Sequence, residues 1–145
     1  MKDEQQPQGA PLVEDKAVLL VEDDADLLGV TTQILQHFGF TVHAFADGGV
    51  ALQWFNQHYS ELDLAILDRR LPSIGGGALF RVMHVMAPKL PIILYSGDVS
   101  VDDERQLSSE GIALVLRKPL GIKNFQRAIR EVLGLPGNTT TIRKS

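Results

Sequence analysis

The stretch LLVEDDAD, residues 19–26, changes character halfway. Residues 17–21 (AVLLV) are apolar at every position, and Glu22, Asp23 and Asp24 follow without a spacer. A run that is apolar throughout, rather than at every second residue, marks a strand covered on both faces, as in a parallel sheet. Three adjacent carboxylates repel one another and raise each other's pKa. A buried strand that ends in them needs something to make that repulsion tolerable.

Comparable runs recur at 63–67 (DLAIL), 91–95 (PIILY) and 112–116 (IALVL), while Phe40–Phe45 (FTVHAF) is mixed and is expected at an edge. Helical spacing lies between them. Leu27, Val30, Thr31, Ile34 and Phe38 share one stripe, closed by Gly39. Val50, Trp54 and Phe55 mark a second helix, Leu79, Val82, Met83 and Met86 a third, and Phe125, Ile129, Val132 and Leu133 the last, stopped by Gly134. Residues 100–110 (SVDDERQLSSE) are helical in composition but weakly apolar; Val101 and Leu107 are the expected anchors of a loosely held helix. Five β–α units in succession imply an α/β fold. Its core is a doubly wound five-stranded parallel sheet with helices on both faces, since parallel neighbours need right-handed crossovers.

The chain has 145 residues, enough for one domain with a real core. That domain is expected over residues 17–134, with 1–16 a flexible lead-in and 135–145 a flexible tail. No cysteine is present, which excludes disulfides, thiolate metal sites and a cysteine nucleophile. No apolar run approaches the roughly 20 residues that span a bilayer. The polar N-terminus is unlike a signal peptide, so a cytoplasmic location and no membrane contact are expected. The net charge of −4 leaves no basic footprint for nucleic acid.

In doubly wound sheets, ligands gather at the carboxyl ends of the strands. The first strand carries Glu22 and Asp23 there, the third Asp68, the fourth Ser96 and Gly97, and the fifth Lys118 and Pro119. Three carboxylates on one edge call for a divalent cation, and hard oxygen donors suit Mg²⁺. Lys118 adds a point charge and Ser96 a donor. Cation, ammonium and hydroxyl around one carboxylate make a cradle for a phosphoryl group in transfer. Asp68 can itself be the nucleophile and form an aspartyl phosphate.

Other readings compete at single positions. Asp24 is expected to be a helix N-cap, with Asp26 favoured in the first turn. Lys118 taken alone would be a solvated lysine. The run Gly75-Gly76-Gly77 lacks the Lys-Ser/Thr of a phosphate loop and reads as a flexible turn. His37, His43, His58 and His84 show no repeated metal spacing. Trp54 and the methionines fall on core positions.

Together LLVEDDAD, LDLAILDRRLPSIGG, PIILYSGD and LRKP, in that order over residues 17–134, resemble the receiver domain of two-component response regulators. The resemblance implies the flavodoxin-like strand order 2-1-3-4-5. It also implies a signalling switch that takes a phosphoryl group on Asp68 from a sensor histidine kinase or a histidine phosphotransfer protein. Glu22 and Asp23 then hold Mg²⁺, with Asp68 and the backbone carbonyl of Arg70 completing the protein ligands. Ser96 becomes the switch hydroxyl, Lys118 pairs with the phosphoryl group, and the bond to Pro119 is expected to be cis. The chain would catalyse only its own phosphorylation and dephosphorylation, acting on an output domain or target protein. No output domain is recognised after residue 134, so a stand-alone receiver or one cut from a larger kinase or regulator is expected.

Departures from the pattern matter. Receivers usually carry an aromatic three residues before the lysine; Val115 stands there, so the signal is expected to leave through residues 97–110 instead. Arg70 and Asp98 lie two residues after Asp68 and Ser96, and are expected to pair over the site. The alternative within the fold is a degenerate receiver that binds a partner without phosphorylation. An aspartyl-phosphate phosphatase would want an acid where Arg70 stands. A flavin carrier would want a site kinder to an anionic phosphate.

Overall fold

Strand β1, Lys16–Val21, buries its last four residues completely or nearly so, and the sheet grows from it in both directions. The computed structural model describes residues 10–136. After β1 come α1 (Ala25–Phe38), β2 (Phe40–Phe45) and α2 (Gly48–His58), then a short 3₁₀ turn (Tyr59–Glu61). Then follow β3 (Leu64–Asp68), α3 (Gly76–Met86), β4 (Ile92–Ser96), α4 (Val101–Ser109), β5 (Leu114–Arg117) and α5 (Ile122–Val132). All neighbours pair in parallel, in the order β2-β1-β3-β4-β5, so the expected topology is the observed one. No helix among the described residues is long and apolar enough to cross a membrane.

Successive side chains on a strand point to opposite faces, and each face of the sheet has its own core. Leu19, Val21, Leu67 and Leu94 meet Phe55, Phe80, Met83 and Leu107 from α2, α3 and α4. Val18, Leu20, Ile66 and Ile93 meet Leu35, Phe38, Phe125 and Ile129 from α1 and α5. Strands β1, β3 and β4 are therefore sandwiched, which is why their sequences are apolar without alternation. Both edges, β2 and β5, are only partly buried, which explains the mixed sequence of β2.

Several expectations need correction. Val30, Val50, Val82 and Val101 are exposed; Leu35 and Phe80 turn inward in their place, beside the expected Phe55. A helical stripe is about 100° wide, so spacing alone leaves its rim open. In α4 only Leu107 is buried, and Val99, just before the helix, supplies the second anchor in place of Val101. Strand β5 begins two residues later than its apolar run, because Ile112 closes α4 through the Leu107 carbonyl. Gly75, Gly76 and Gly77 are no flexible turn: Gly75 caps α3 and the other two open it.

Residues 1–9 and 137–145, most of the expected lead-in and tail, lie outside the described residues. The packed body reaches beyond 17–134 at both ends. Lys16 is already in β1; Val13 is buried and donates its N–H to the Phe38 carbonyl; Leu135 packs against the α1–α5 core.

Gly76 fixes how closely α3 starts behind Asp68. A Cβ at residue 76 would lie 2.2 Å from the Asp68 carbonyl oxygen and 2.9 Å from Arg69 Cα, both backbone atoms. Gly76→Ala should therefore destabilise the fold by about 1–3 kcal/mol, read from urea midpoints. An unchanged midpoint would mean that the start of α3 is free to move off β3.

Candidate functional site

The carboxyl edge of the sheet is held together by backbone hydrogen bonds that extend beyond the strands. Glu22 donates its N–H to the Phe45 carbonyl and so prolongs β1 against β2. Register pairs Val21 with Leu67, so Glu22 and Asp68 end neighbouring strands side by side. Lys118 donates its N–H to the Ser96 carbonyl (2.8 Å), tying the end of β5 to the end of β4, and its bond to Pro119 is cis. Asp24 is the N-cap of α1, its Oδ1 accepting from the N–H groups of Asp26 and Leu27. The start of α1 is thereby fixed, and Asp23 is left exposed at the rim.

Glu22, Asp23, Asp68, Arg70, Ser96 and Lys118, all singled out from the sequence, line one open cavity of about 710 Å³. Asp98 lines it too. Glu22, Asp68 and Ser96 are buried, at 3%, 6% and 2% exposure. Lys118 Nζ lies 3.1 Å from Glu22 Oε1 and 3.3 Å from Asp68 Oδ2, so one ammonium serves two buried carboxylates. That is not enough. Burial, and next the Asp68 carboxylate beside it, push Glu22 up to about 7 despite the opposing bonds from Asp24 N–H and Lys118. Burial works against the charge on Lys118, but the two carboxylates outweigh it and its pKa is raised.

The three acids Glu22, Asp23 and Asp68 each offer an oxygen within 4.8 Å of the others. An all-oxygen, partly open set with surplus negative charge fits a hard divalent cation that keeps some of its water. Asp68 Oδ1 also accepts from the Arg70 N–H (3.2 Å), which folds the chain after β3 back over the carboxylate.

A second layer covers the mouth. Ser96 Oγ donates to Asp98 Oδ1 (3.0 Å) and accepts from the Asp98 N–H (3.2 Å). Asp98 is paired in turn with Arg70, as their positions suggested, and with Arg69 Nη1 at 3.5 Å. Arg69 also reaches Asp103 in the first turn of α4 (3.0 Å). Sequence reasoning missed Arg69; the pair of arginines directly after Asp68 was the available signal. It also passed over Tyr95, whose ring lies under Lys118.

Residues 18–130 match the family described as the response regulator receiver domain. The chain is 32% identical over 114 residues to the C4-dicarboxylate transport transcriptional regulatory protein DctD of Rhizobium meliloti, covering 79% of this chain and 24% of that protein. It is 30% identical over 116 residues to the sensor kinase CckA of Brucella abortus, covering 80% of this chain and 12% of that one. The chain thus spans a quarter or less of these relatives' length. Among solved structures, a CheY-like response regulator receiver domain protein from Methanospirillum hungatei superposes with a TM-score of 0.76 at 28% identity. The match covers 82% of this chain and 94% of that one.

Glu22 holds its proton more tightly in the folded chain than in the unfolded one. Its contribution to stability is therefore full below its ordinary pKa of 4.5 and is lost as pH rises through about 7. Glu22→Gln removes that loss. Without metal, the variant should gain on the parent between about pH 5 and about pH 8, by on the order of 2 kcal/mol. Urea denaturation across that range measures it; a difference that stays flat with pH would contradict the strained charge at Glu22.

Proposed function

The chain belongs to the response regulator receiver domain family, and from that membership we propose that it is a phosphorylation-dependent switch whose acceptor is Asp68. The observation that carries this reading is the Lys118 ammonium shared between Glu22 and Asp68, with the buried Ser96 hydroxyl at the same cavity.

In the proposed reaction a carboxylate oxygen of Asp68 attacks the phosphorus of a phosphohistidine. The P–O bond forms as the P–N bond breaks, and the imidazole leaves with the electron pair of that bond. Negative charge spreads over the three phosphoryl oxygens, so positioning and neutralisation decide the rate. Lys118 holds Asp68 in place and brings a positive charge to the transferring group. Ser96 supplies a hydroxyl donor once it leaves Asp98. Bound by Glu22, Asp23, Asp68 and the Arg70 carbonyl, Mg²⁺ would neutralise further charge on the phosphoryl oxygens. The chain turns over no separate substrate; it promotes only its own phosphorylation and the hydrolysis that ends it. The donor is a sensor histidine kinase or a histidine phosphotransfer protein, and the signal passes to an output domain or target protein. The relatives are themselves a transcriptional regulator and a sensor kinase, which fits both placements. The receiver unit is the packed body that includes residues 17–134 and the flanking Val13, Lys16 and Leu135.

Incubation with acetyl phosphate and Mg²⁺ should add one phosphoryl group by intact mass, and Asp68→Asn should abolish it. Asp23→Ala should weaken Mg²⁺ binding in calorimetry while leaving the metal-free fold intact. A labelled Asn variant would remove Asp68 from the role of acceptor. A parent that never gains mass would leave a receiver that binds its partner unphosphorylated.

A further inference from the structure

Lys118 lies at the centre of the site, yet it is carried on a flexible four-carbon stem and its charge is opposed by burial. Two carboxylates attract it, but something must also keep it between them rather than out in water. An ammonium has three N–H donors. Two directions are taken by Glu22 Oε1 and Asp68 Oδ2. On another side Nζ lies 5.1 Å from the centroid of the Tyr95 ring, within the range over which a cation is drawn to an aromatic face.

Tyr95 is itself well fixed. It precedes Ser96 in β4, so the two side chains leave the strand on opposite faces. Ser96 joins the cavity, while the Tyr95 ring packs into the α1–α5 core and stacks on Phe125, with centroids 6.4 Å apart and planes 15° apart. Leu120, two residues beyond Lys118, packs against the same core as Tyr95. The ring is thus anchored in the core on one side and against the loop after β5 on the other. The Lys118 ammonium lies over this ring.

We propose that Tyr95 is a positioning residue for phosphoryl transfer, its ring face holding the Lys118 ammonium between Glu22 and Asp68. The proposal rests on the reading of Asp68 as acceptor. Ring and ammonium act together: the ring excludes water from one side of Nζ and removes stem conformations that point outward. Without the ring, Lys118 spends less time between the two acids, Asp68 is held less often with its partner, and the transferring group meets its positive charge less often.

The test compares the parent with Tyr95→Phe, which keeps the ring, and Tyr95→Leu, which keeps apolar volume without one. Rates of phosphorylation by acetyl phosphate with Mg²⁺ come from intact mass. Tyr95→Phe should stay within about twofold of the parent and Tyr95→Leu should be about fivefold slower. A purely structural role is separated by NMR. The ε-methylene protons of Lys118, assigned by their loss in Lys118→Met, should be displaced upfield by the ring in the parent and in Tyr95→Phe. They should return to the position of the other lysines in Tyr95→Leu. If Tyr95→Leu does not fold, Tyr95→Met takes its place under the same criteria. Parent-like rates in Tyr95→Leu, equal slowing in Tyr95→Phe, or an undisplaced Lys118 signal in the parent would each overturn the proposal. A parent that accepts no phosphoryl group would instead overturn the reading of Asp68, and the Lys118 signal would still decide whether the ring holds the ammonium.

Discussion

Glu22 and Asp68 are carboxylates sealed into the ends of adjacent strands, and a single ammonium reaches both. The sheet leaves no other arrangement. Parallel pairing in this register ends β1 and β3 side by side, and the backbone bond from Lys118 to Ser96 brings the end of β5 to the same edge. One positive charge between two buried negative ones falls short of balance, and Asp23 at the rim adds to the deficit. The raised pKa of Glu22 expresses that deficit in the absence of metal. Oxygen donors with such a surplus of negative charge suit a hard divalent cation. The fold holds the acids of EDD against their mutual repulsion at the edge where the strand ends meet.

The opposite principle governs α4. It contributes one buried side chain, Leu107, with Val99 and Ile112 buried on its two flanks, and is held besides by charge. Arg69 reaches back from β3 to Asp98 and Asp103; Arg117 at the end of β5 holds Glu104 and the Val99 carbonyl. Exposed pairs of this kind are worth little one by one, so a helix that depends on them belongs to the low-stability end of the fold. Asp98 stands at the junction. It holds the Ser96 hydroxyl on one side and both arginines on the other, so the position of α4 and the freedom of Ser96 are linked through one carboxylate.

Much of this was legible in the residues. Unbroken apolar runs identified the sandwiched strands β1, β3 and β4, but the run at 112–116 lies in β5, a partly exposed edge, so such a run does not by itself separate centre from edge. Polar groups at four strand ends identified the edge because topology collects those ends in one place. The Asp24 cap was legible because capping is local. Helix faces were less so: Val30, Val50 and Val101 fit the spacing but lie on the rim, where burial depends on what packs opposite. Long-range pairs were least legible. Nothing near Arg69 in the chain announces Asp103, 34 residues away, and nothing in PIILYSGD says that the Tyr95 ring will meet Lys118 from another strand.

The loop after Asp68 is gripped from two sides, unequally. On the α2 side Ser73, a non-glycine residue at φ 65°, donates its hydroxyl to Asp47, the cap of α2, at 3.1 and 3.2 Å from its two oxygens. Residue 48 is a glycine, and Ile74 lies so close to it that a Cβ would fall 2.6 Å from Ile74 Cγ2 and 2.8 Å from its carbonyl oxygen. Backbone packing and a strained turn make that side stiff. On the α4 side the grip is the Arg69 and Arg70 pairs with Asp98, all partly exposed. Asp68 is tied to this loop by the Arg70 N–H on its carboxylate, and Ser96 at the same cavity is tied to Asp98. The packed side has no room to yield. The two grips differ in kind: close backbone packing resists displacement on the α2 side, whereas partly exposed ion pairs beside residues 97–110 resist it less.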